Sequence, residues 1–266
     1  MTIFFSIFIF VFGLLVGSFL NCLIYRLELK ELKGERKSPL KGRSFCPSCK
    51  HVLSWYDLIP ILSFFYLRGK CRYCGKKISI QYPLVELATA LMFLLVFNSS
   101  MVQAIELNLL FLFYYLLITC FLIIIFVFDL KHFIIPDVVL FPAIVITFLY
   151  RVFFSERLSL SGFIFSALIS GLFFLLIFLI SRGKWLGFGD VKLVLFMGLF
   201  LGYPQILVGL FLSFFIGAII GVMLMLLKKK GLKSEVPFGP FLVVGTYIGL
   251  FWGQQIYNWY LNLLMI

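Results

Sequence analysis

Eight apolar segments alternate with shorter polar stretches along almost the whole chain. They lie at residues 3–25, 83–101, 107–128, 134–150, 160–180, 191–203, 205–227 and 238–262. Most of them approach or exceed the roughly 18 apolar residues that are typical of a membrane span. The pattern predicts an all-α fold, a polytopic transmembrane helical bundle of about eight spans, and it excludes a soluble globular protein. Segment 191–203 would cover only about 20 Å of a ~30 Å hydrocarbon core, so Asp190 at its start is expected below the membrane surface.

Composition supports the membrane interpretation, and the charge pattern adds an orientation. Hydrophobic residues make up 63% of the chain and charged residues 13%, whereas average soluble domains carry about 25% charge. If residues 26–81 are cytoplasmic, 21 of the 23 Lys and Arg residues fall on the cytoplasmic side, and only Arg151 and Arg157 lie outside. This asymmetry predicts eight spans with both termini outside. The net charge of +12 therefore indicates a bilayer partner and no nucleic acid.

The chain divides into three predicted regions. Residues 1–25 form a first transmembrane span, residues 26–82 form a cytoplasmic cysteine loop, and residues 83–266 form a membrane-embedded core of about seven spans. The loop contains two Cys-x-x-Cys pairs, CPSC and CRYC, whose cysteines are Cys46, Cys49, Cys71 and Cys74. Two such pairs supply the four thiolates of a structural zinc site, which would fold a loop that has too few apolar residues for its own core. A redox pair is the alternative, but cytoplasmic disulfides are normally reduced.

Four acidic residues lie close to or inside the apolar segments, and each is a functional candidate because a carboxylate at membrane depth is costly. These are Glu86, Asp129, Asp137 and Asp190. Asp137 also fits a charge at the start of a helix, and Glu86 also fits a side chain that reaches interfacial water. Asp129 ends an uninterrupted apolar run, and Asp190 opens the next cytoplasmic-side helix. The predicted topology therefore brings Asp129 and Asp190 to the same membrane level.

Two carboxylates in a partly dehydrated pocket retain one proton between them. The ionised member can take a proton from water while the protonated member polarises a carbonyl, which is peptide hydrolysis by an aspartic dyad. Gly187 and Gly189 lack side chains beside Asp190 and so allow another backbone to come close. A proton-coupled transporter would use the same acids, and it remains open at this point. A phosphate-binding loop at GFGD is disfavoured because the Lys and Ser/Thr of such loops are absent.

Seven segments together resemble one known family, the bacterial type IV prepilin peptidases, which are membrane aspartic proteases with a GxGD motif. The segments are GLLVGSFLNCLIYRL at 13–27, the CPSC and CRYC pairs, ISIQYPLVELATALMF at 78–93, DLKHFIIPD at 129–137, GFGDVKL at 187–193 and VPFGPFL at 236–242. They follow one another in order along nearly the whole chain. The sequence departs most visibly at Lys131 and Phe133, where members of the family often carry other residues.

The resemblance implies that Asp129 and Asp190 are catalytic and that Gly187 and Gly189, the glycines of the motif, lie along the substrate. It also implies that the substrates are prepilin or pseudopilin precursors, which are cut at the cytoplasmic membrane face after a short basic leader. Many members then methylate the new N-terminus with S-adenosylmethionine, and the cysteine loop is similar to that of the bifunctional members. A transporter or a membrane scaffold explains fewer of these features, since the first gives the cysteine loop no role and the second leaves the aspartates unused.

Overall fold

The computed structural model of the protein describes residues 2–34, 42–99, 109–154, 157–227 and 236–264. Several of the Lys and Arg residues on which the predicted orientation depends, including those at 228–233, lie outside these residues. Where the chain is described it forms helices, one short 3₁₀ helix and isolated β-bridges. The helices are α1 (Thr2–Lys33), a 3₁₀ helix (Trp55–Leu58), α2 (Leu62–Tyr66), α3 (Gln81–Asn98), α4 (Leu109–His132), α5 (Asp137–Phe154), α6 (Arg157–Ser181), α7 (Phe188–Leu201), α8 (Gln205–Leu226) and α9 (Gly239–Leu263).

The prediction of a polytopic all-α membrane protein is confirmed, although the count of eight spans is approximate. Eight helices, α1 and α3–α9, occupy the positions of the eight apolar segments. Within the described residues, six of them are long and apolar enough to cross a bilayer, and these are α1, α3, α4, α5, α6 and α8. Of the remaining two, α7 has only 14 residues, and α9 carries Gln and Asn side chains in its second half.

The chain forms two compact units, Met1–Ile124 and Ile125–Ile266. In the first unit α1 packs along α3, and Gly13 and Gly17 allow the two backbones to approach closely. A Cβ atom at residue 13 would lie 2.6 Å from Cα of Ala90, and one at residue 17 would lie 2.7 Å from Cα of Glu86. Small residues at this spacing are a common means of packing helices in membranes. The region boundaries predicted at 25 and 82 stay a prediction, and the structure groups α3 with α1.

In the second unit α7 is the central helix. It contacts α5, α6, α8 and α9, and 10 of its 14 residues are buried. Its contact with α6 depends on Gly198, where a Cβ atom would lie 2.5 Å from Cα of Ala167. Since α7 is enclosed by other helices, Asp190 in its first turn lies in the interior of the unit.

Candidate active site

Asp129 lies in the last turns of α4, after a long apolar run, and its side chain points into the second unit. The residue is only 4% exposed. Its Oδ2 atom accepts a hydrogen bond of 3.0 Å from the backbone N–H of Gly239, the first residue of α9. Because the first N–H groups of a helix have no partner within the helix, a carboxylate is a favourable acceptor there. The α9 N-terminus therefore fixes one oxygen of Asp129.

Asp190 occupies the first turn of α7 and closes that turn on Gly187. The backbone N–H of Gly187 donates to Oδ2 of Asp190 over 3.1 Å, and the N–H of Asp190 donates to the carbonyl oxygen of Gly187 over 3.1 Å. The residue is 9% exposed. As with Asp129, one oxygen of the carboxylate is held by a backbone N–H group.

Asp129 and Asp190 both lie in the second unit, and the segment that follows Asp129 packs against Gly189, the residue before Asp190. Among the described residues, neither Oδ1 atom takes part in a hydrogen bond. The arrangement is thus two neighbouring buried carboxylates, each anchored through Oδ2 and each with a second oxygen for chemistry. Such a pair can serve as acid and base together.

Gly189 packs against the segment that follows Asp129. After α4 the chain turns at Phe133, which has φ of 58° and donates its N–H to the Asp129 carbonyl over 2.9 Å. The turn places Ile135 beside α7, where a Cβ atom at residue 189 would lie 3.1 Å from Cβ of Ile135. A Cβ atom at Gly187 would meet Oδ2 of Asp190 at 3.3 Å. Contact of Gly187 and Gly189 with substrate stays a prediction.

The other two candidate acids have partners of their own. Asp137 begins α5, is half-exposed, and forms an ion pair with Lys192 of α7. Glu86 of α3 belongs to the first unit, is 6% exposed, and accepts a hydrogen bond of 2.8 Å from the N–H of Ile61. Asp137 is therefore a charge at a helix start, as the sequence allowed, whereas Glu86 is buried rather than at an exposed interface.

Gly239 is a site residue that the sequence did not single out. A Cβ atom at this position would lie 2.6 Å from Oδ2 of Asp129, which is closer than real Cβ atoms approach other heavy atoms, and 3.1 Å from its Cγ. The residue must therefore be glycine if Asp129 is to keep its position. The signal in the sequence is the segment VPFGPFL, in which a proline follows Gly239 and favours the start of a helix.

The four cysteines of the first unit form a cluster that can hold a metal ion. The Sγ atoms of Cys46, Cys49, Cys71 and Cys74 all lie within 4.8 Å of one another, and those of Cys46 and Cys74 are 3.9 Å apart. Tetrahedral zinc with Zn–S distances of about 2.3 Å requires sulfur atoms about 3.8 Å apart. The donor set and its spacing therefore fit a four-thiolate site.

The two Cys-x-x-Cys pairs have the same backbone geometry. In the first, the N–H of Cys46 donates to the carbonyl of His51 over 2.9 Å, and in the second the N–H of Cys71 donates to the carbonyl of Lys76 over 2.8 Å. Lys50 and Gly75, which follow the two pairs, both have positive φ. His51 supplies its carbonyl to this turn and stacks on Tyr73 with ring centroids 3.7 Å apart, so its ring has a packing role.

The electrostatics of the cluster favour thiolate formation at Cys46. Burial raises the pKa of the Cys46 thiol, but the backbone N–H groups of Cys49 and Ser48 stabilise the thiolate, and the pKa falls to about 7. Metal ligands of this type bind as thiolates. Cys46 is therefore prepared for a cation near neutral pH.

Comparison with known proteins places the chain in a family. Residues 116–222 match the model of the type IV leader peptidase family, and residues 11–100 match that of the bacterial peptidase A24 N-terminal domain. Proteins named prepilin leader peptidase/N-methyltransferase are similar over nearly their whole length. The one from Aeromonas hydrophila is 33% identical, with 96% of this chain and 93% of the relative covered. The one from Legionella pneumophila is 34% identical, with 94% and 92% covered.

A third relative of the same name, from Pseudomonas aeruginosa, is 32% identical over 94% of this chain and 91% of its own. No solved structure gives a significant match. The chain belongs to the type IV leader peptidase family and is a multi-pass protein of the inner membrane. The family resemblance predicted from the sequence is confirmed, and the transporter alternative receives no support.

Proposed function

We propose that this protein removes the leader from type IV prepilins or pseudopilins and methylates the new N-terminus. The observation that carries the first activity is the pair of buried carboxylates, Asp129 and Asp190, each anchored through Oδ2. The names and coverage of the relatives support the same substrates. Membrane aspartic peptidase chemistry gives both acids a role.

In this mechanism the ionised carboxylate of the dyad takes a proton from water, and the water oxygen attacks the scissile carbonyl carbon. The protonated carboxylic acid donates its proton to the carbonyl oxygen, which gives a neutral tetrahedral intermediate. That intermediate then collapses: one of its hydroxyl groups returns a proton to the ionised carboxylate, the protonated carboxyl group gives its proton to the leaving amine, and the carbon–nitrogen bond breaks. Gly239 and Gly187 act by holding the two carboxylates, so the second oxygen of each faces the reaction.

The position of the two acids in apolar helices supports a prepilin as the substrate. A prepilin has an apolar helix that stays in the bilayer and a polar leader outside it, so its scissile bond lies at the interface. Asp129 lies near the end of an apolar helix and Asp190 lies in the first turn of the short helix α7, which supports cleavage of a bond at a membrane surface. The positive-inside pattern supports the cytoplasmic surface as the one at which the bond is cut.

Zinc at the cysteine cluster would be structural in this proposal. Four thiolates complete a tetrahedral shell and leave no position for a water ligand. When bound, the ion holds the two cysteine pairs together and thereby folds the segment around them. S-adenosylmethionine is the proposed methyl donor because the relatives carry the name N-methyltransferase.

The experiment is a reconstituted assay of purified protein in lipid with a prepilin precursor. The proposal predicts a shortened product and, when S-adenosylmethionine is present, a further mass increase of one methyl group. An uncut precursor under conditions in which a family member cuts it contradicts the peptidase assignment. A cut product that is never methylated contradicts only the second activity.

A further inference from the structure

The first unit contains a cavity of about 310 Å³ between α1, α3 and residues 44–79, which include the four cysteines and are called the cysteine segment below. Small-molecule sites commonly measure about 300–1,000 Å³ and combine apolar walls with a few polar groups. We propose that this cavity binds S-adenosylmethionine for the N-methylation step, with Glu86 facing a cationic group of the donor. The inference rests on the proposed methyltransferase function and assigns it a place in the chain.

Two helices form one wall of the cavity. Ser18, Cys22 and Tyr25 lie on one face of α1, and Tyr82 and Glu86 lie one turn apart on α3. The opposite wall comes from the cysteine segment and includes Cys46 and Cys71. The fold of the metal cluster therefore determines the shape of the cavity, which gives the cluster a role in the proposed reaction.

Glu86 indicates the charge of the ligand. Its Oε2 atom accepts a hydrogen bond of 2.8 Å from the N–H of Ile61. No described Lys or Arg side chain forms an ion pair with it. A buried carboxylate without a counter-charge is costly. A cationic ligand in the cavity would supply that charge.

The second acid of the cavity, Asp57, is already neutralised and is not available to a ligand. Its Oδ1 accepts from Nε of Arg72 at 2.8 Å, and its Oδ2 accepts from the hydroxyl of Tyr73 at 3.1 Å. The side chain of Asp57 is only 3% exposed. These bonds connect the 3₁₀ helix to the second cysteine pair. Because Asp57 is used in this way, Glu86 is the acid of the cavity that can bind a cationic ligand.

The remaining walls fit the other parts of the donor. Tyr25, Phe45, Phe64 and Tyr82 line the cavity, and aromatic rings of this kind stack on a purine. Lys76 and Lys77 also line it and offer positive charge to a carboxylate. S-adenosylmethionine combines an adenine, a sulfonium, an ammonium and a carboxylate, so each of its groups has a counterpart among these residues.

The proposed reaction at this site is the transfer of one methyl group. The new α-amino group of the mature pilin, after losing a proton to water, attacks the methyl carbon of the sulfonium. The nitrogen–carbon bond forms while the sulfur–carbon bond breaks, and the electron pair of the broken bond stays on sulfur. The products are the N-methylated pilin, as a secondary ammonium, and S-adenosylhomocysteine.

The test is direct binding of radiolabelled S-adenosylmethionine to the full-length protein in detergent, measured by equilibrium dialysis. Two variants address the cavity. Glu86→Gln removes the charge but keeps an acceptor for the N–H of Ile61, and Ser63→Trp fills the cavity from α2. Each should weaken binding at least tenfold. Phe65→Trp is the matched control, since this residue lies on the same short helix but is 69% exposed and outside the cavity.

The outcomes separate the site from the function. If the wild type binds the donor and methylates pilin while Glu86→Gln and Ser63→Trp bind as well as the wild type, the cavity assignment is wrong and the methyltransferase function stands. If the wild type neither binds the donor nor methylates pilin, both the function and the site are wrong. Tenfold weaker binding in both variants, with unchanged binding in Phe65→Trp, supports the assignment.

Discussion

The backbone N–H of Gly239 donates a 3.0 Å hydrogen bond to Oδ2 of Asp129 across 110 positions of sequence. A Cβ atom at residue 239 would lie 2.6 Å from the same oxygen. The bond and the missing side chain therefore act together, because one holds the carboxylate and the other leaves room for it. This relationship makes the start of α9 part of the site.

Gly239→Ala should reduce kcat/KM for leader cleavage by about 10–100-fold, because the added methyl group displaces the Asp129 carboxylate. The assay is cleavage of a prepilin precursor by variants that are extracted from the membrane in equal amounts. Gly221→Ala is the matched control, since no atom lies within 4 Å of a Cβ atom at that position. Equal activity of the two variants would remove Gly239 from the site.

Gly189→Val should also impair cleavage, through crowding rather than charge. The side chain would press on Ile135, which already lies 3.1 Å from the position of a Cβ atom, and would move the segment that joins Asp129 to α5. Gly162→Val provides the comparison because the space beside Gly162 is open. If Gly189→Val cuts the precursor as fast as Gly162→Val, the close packing at residue 189 has no bearing on the reaction.

Much of this architecture is readable from the sequence, because a bilayer imposes long apolar segments and makes a charge within them conspicuous. Asp129 and Asp190 stand out for that reason. The contact between Gly239 and Asp129 does not, since it depends on packing between distant helices and a glycine has no side chain to reveal a partner. Helix α1 is longer than the predicted span 1–25. It continues to Lys33 through polar residues, where the apolar pattern has already ended.

The cavity beside Glu86 was equally invisible in the sequence. Its walls come from α1, α3 and the cysteine segment, and only the folded unit brings them together. The sequence offered Glu86 as one acid near a membrane segment and left its surroundings open. The cysteine cluster could be predicted from the sequence, because the spacing of each Cys-x-x-Cys pair fixes a local turn.

One zinc ion per chain is expected at the cysteine cluster, and elemental analysis of purified protein measures it. The double variant Cys46→Ser/Cys71→Ser should lose the metal, because each cysteine pair then retains a single thiolate. Cys120→Ala, which changes a cysteine outside the cluster, should keep it. A full equivalent of zinc in the double variant would show that other ligands hold the ion.

The orientation of the protein can be measured with cysteines introduced at loop positions. Lys131→Cys and Lys184→Cys should react with an impermeant thiol reagent from the cytoplasmic side, and Arg157→Cys should react from the outside, as the distribution of positive charge predicts. Labelling is read by mass shift in intact cells and in inverted vesicles. Labelling of position 184 from the outside would overturn both the topology and the cytoplasmic placement of the dyad.

The most direct measurement of the central claim is cleavage of a prepilin precursor by Asp129→Asn and Asp190→Asn, each compared with Asp137→Asn. The first two variants remove a carboxylate that serves as acid or base, so each should lose at least about a hundredfold in rate. Asp137→Asn breaks only the half-exposed ion pair with Lys192 and should stay within a few-fold of the wild type. Near wild-type cleavage by Asp129→Asn or Asp190→Asn, or a dead Asp137→Asn beside an active Asp129→Asn, would contradict the dyad.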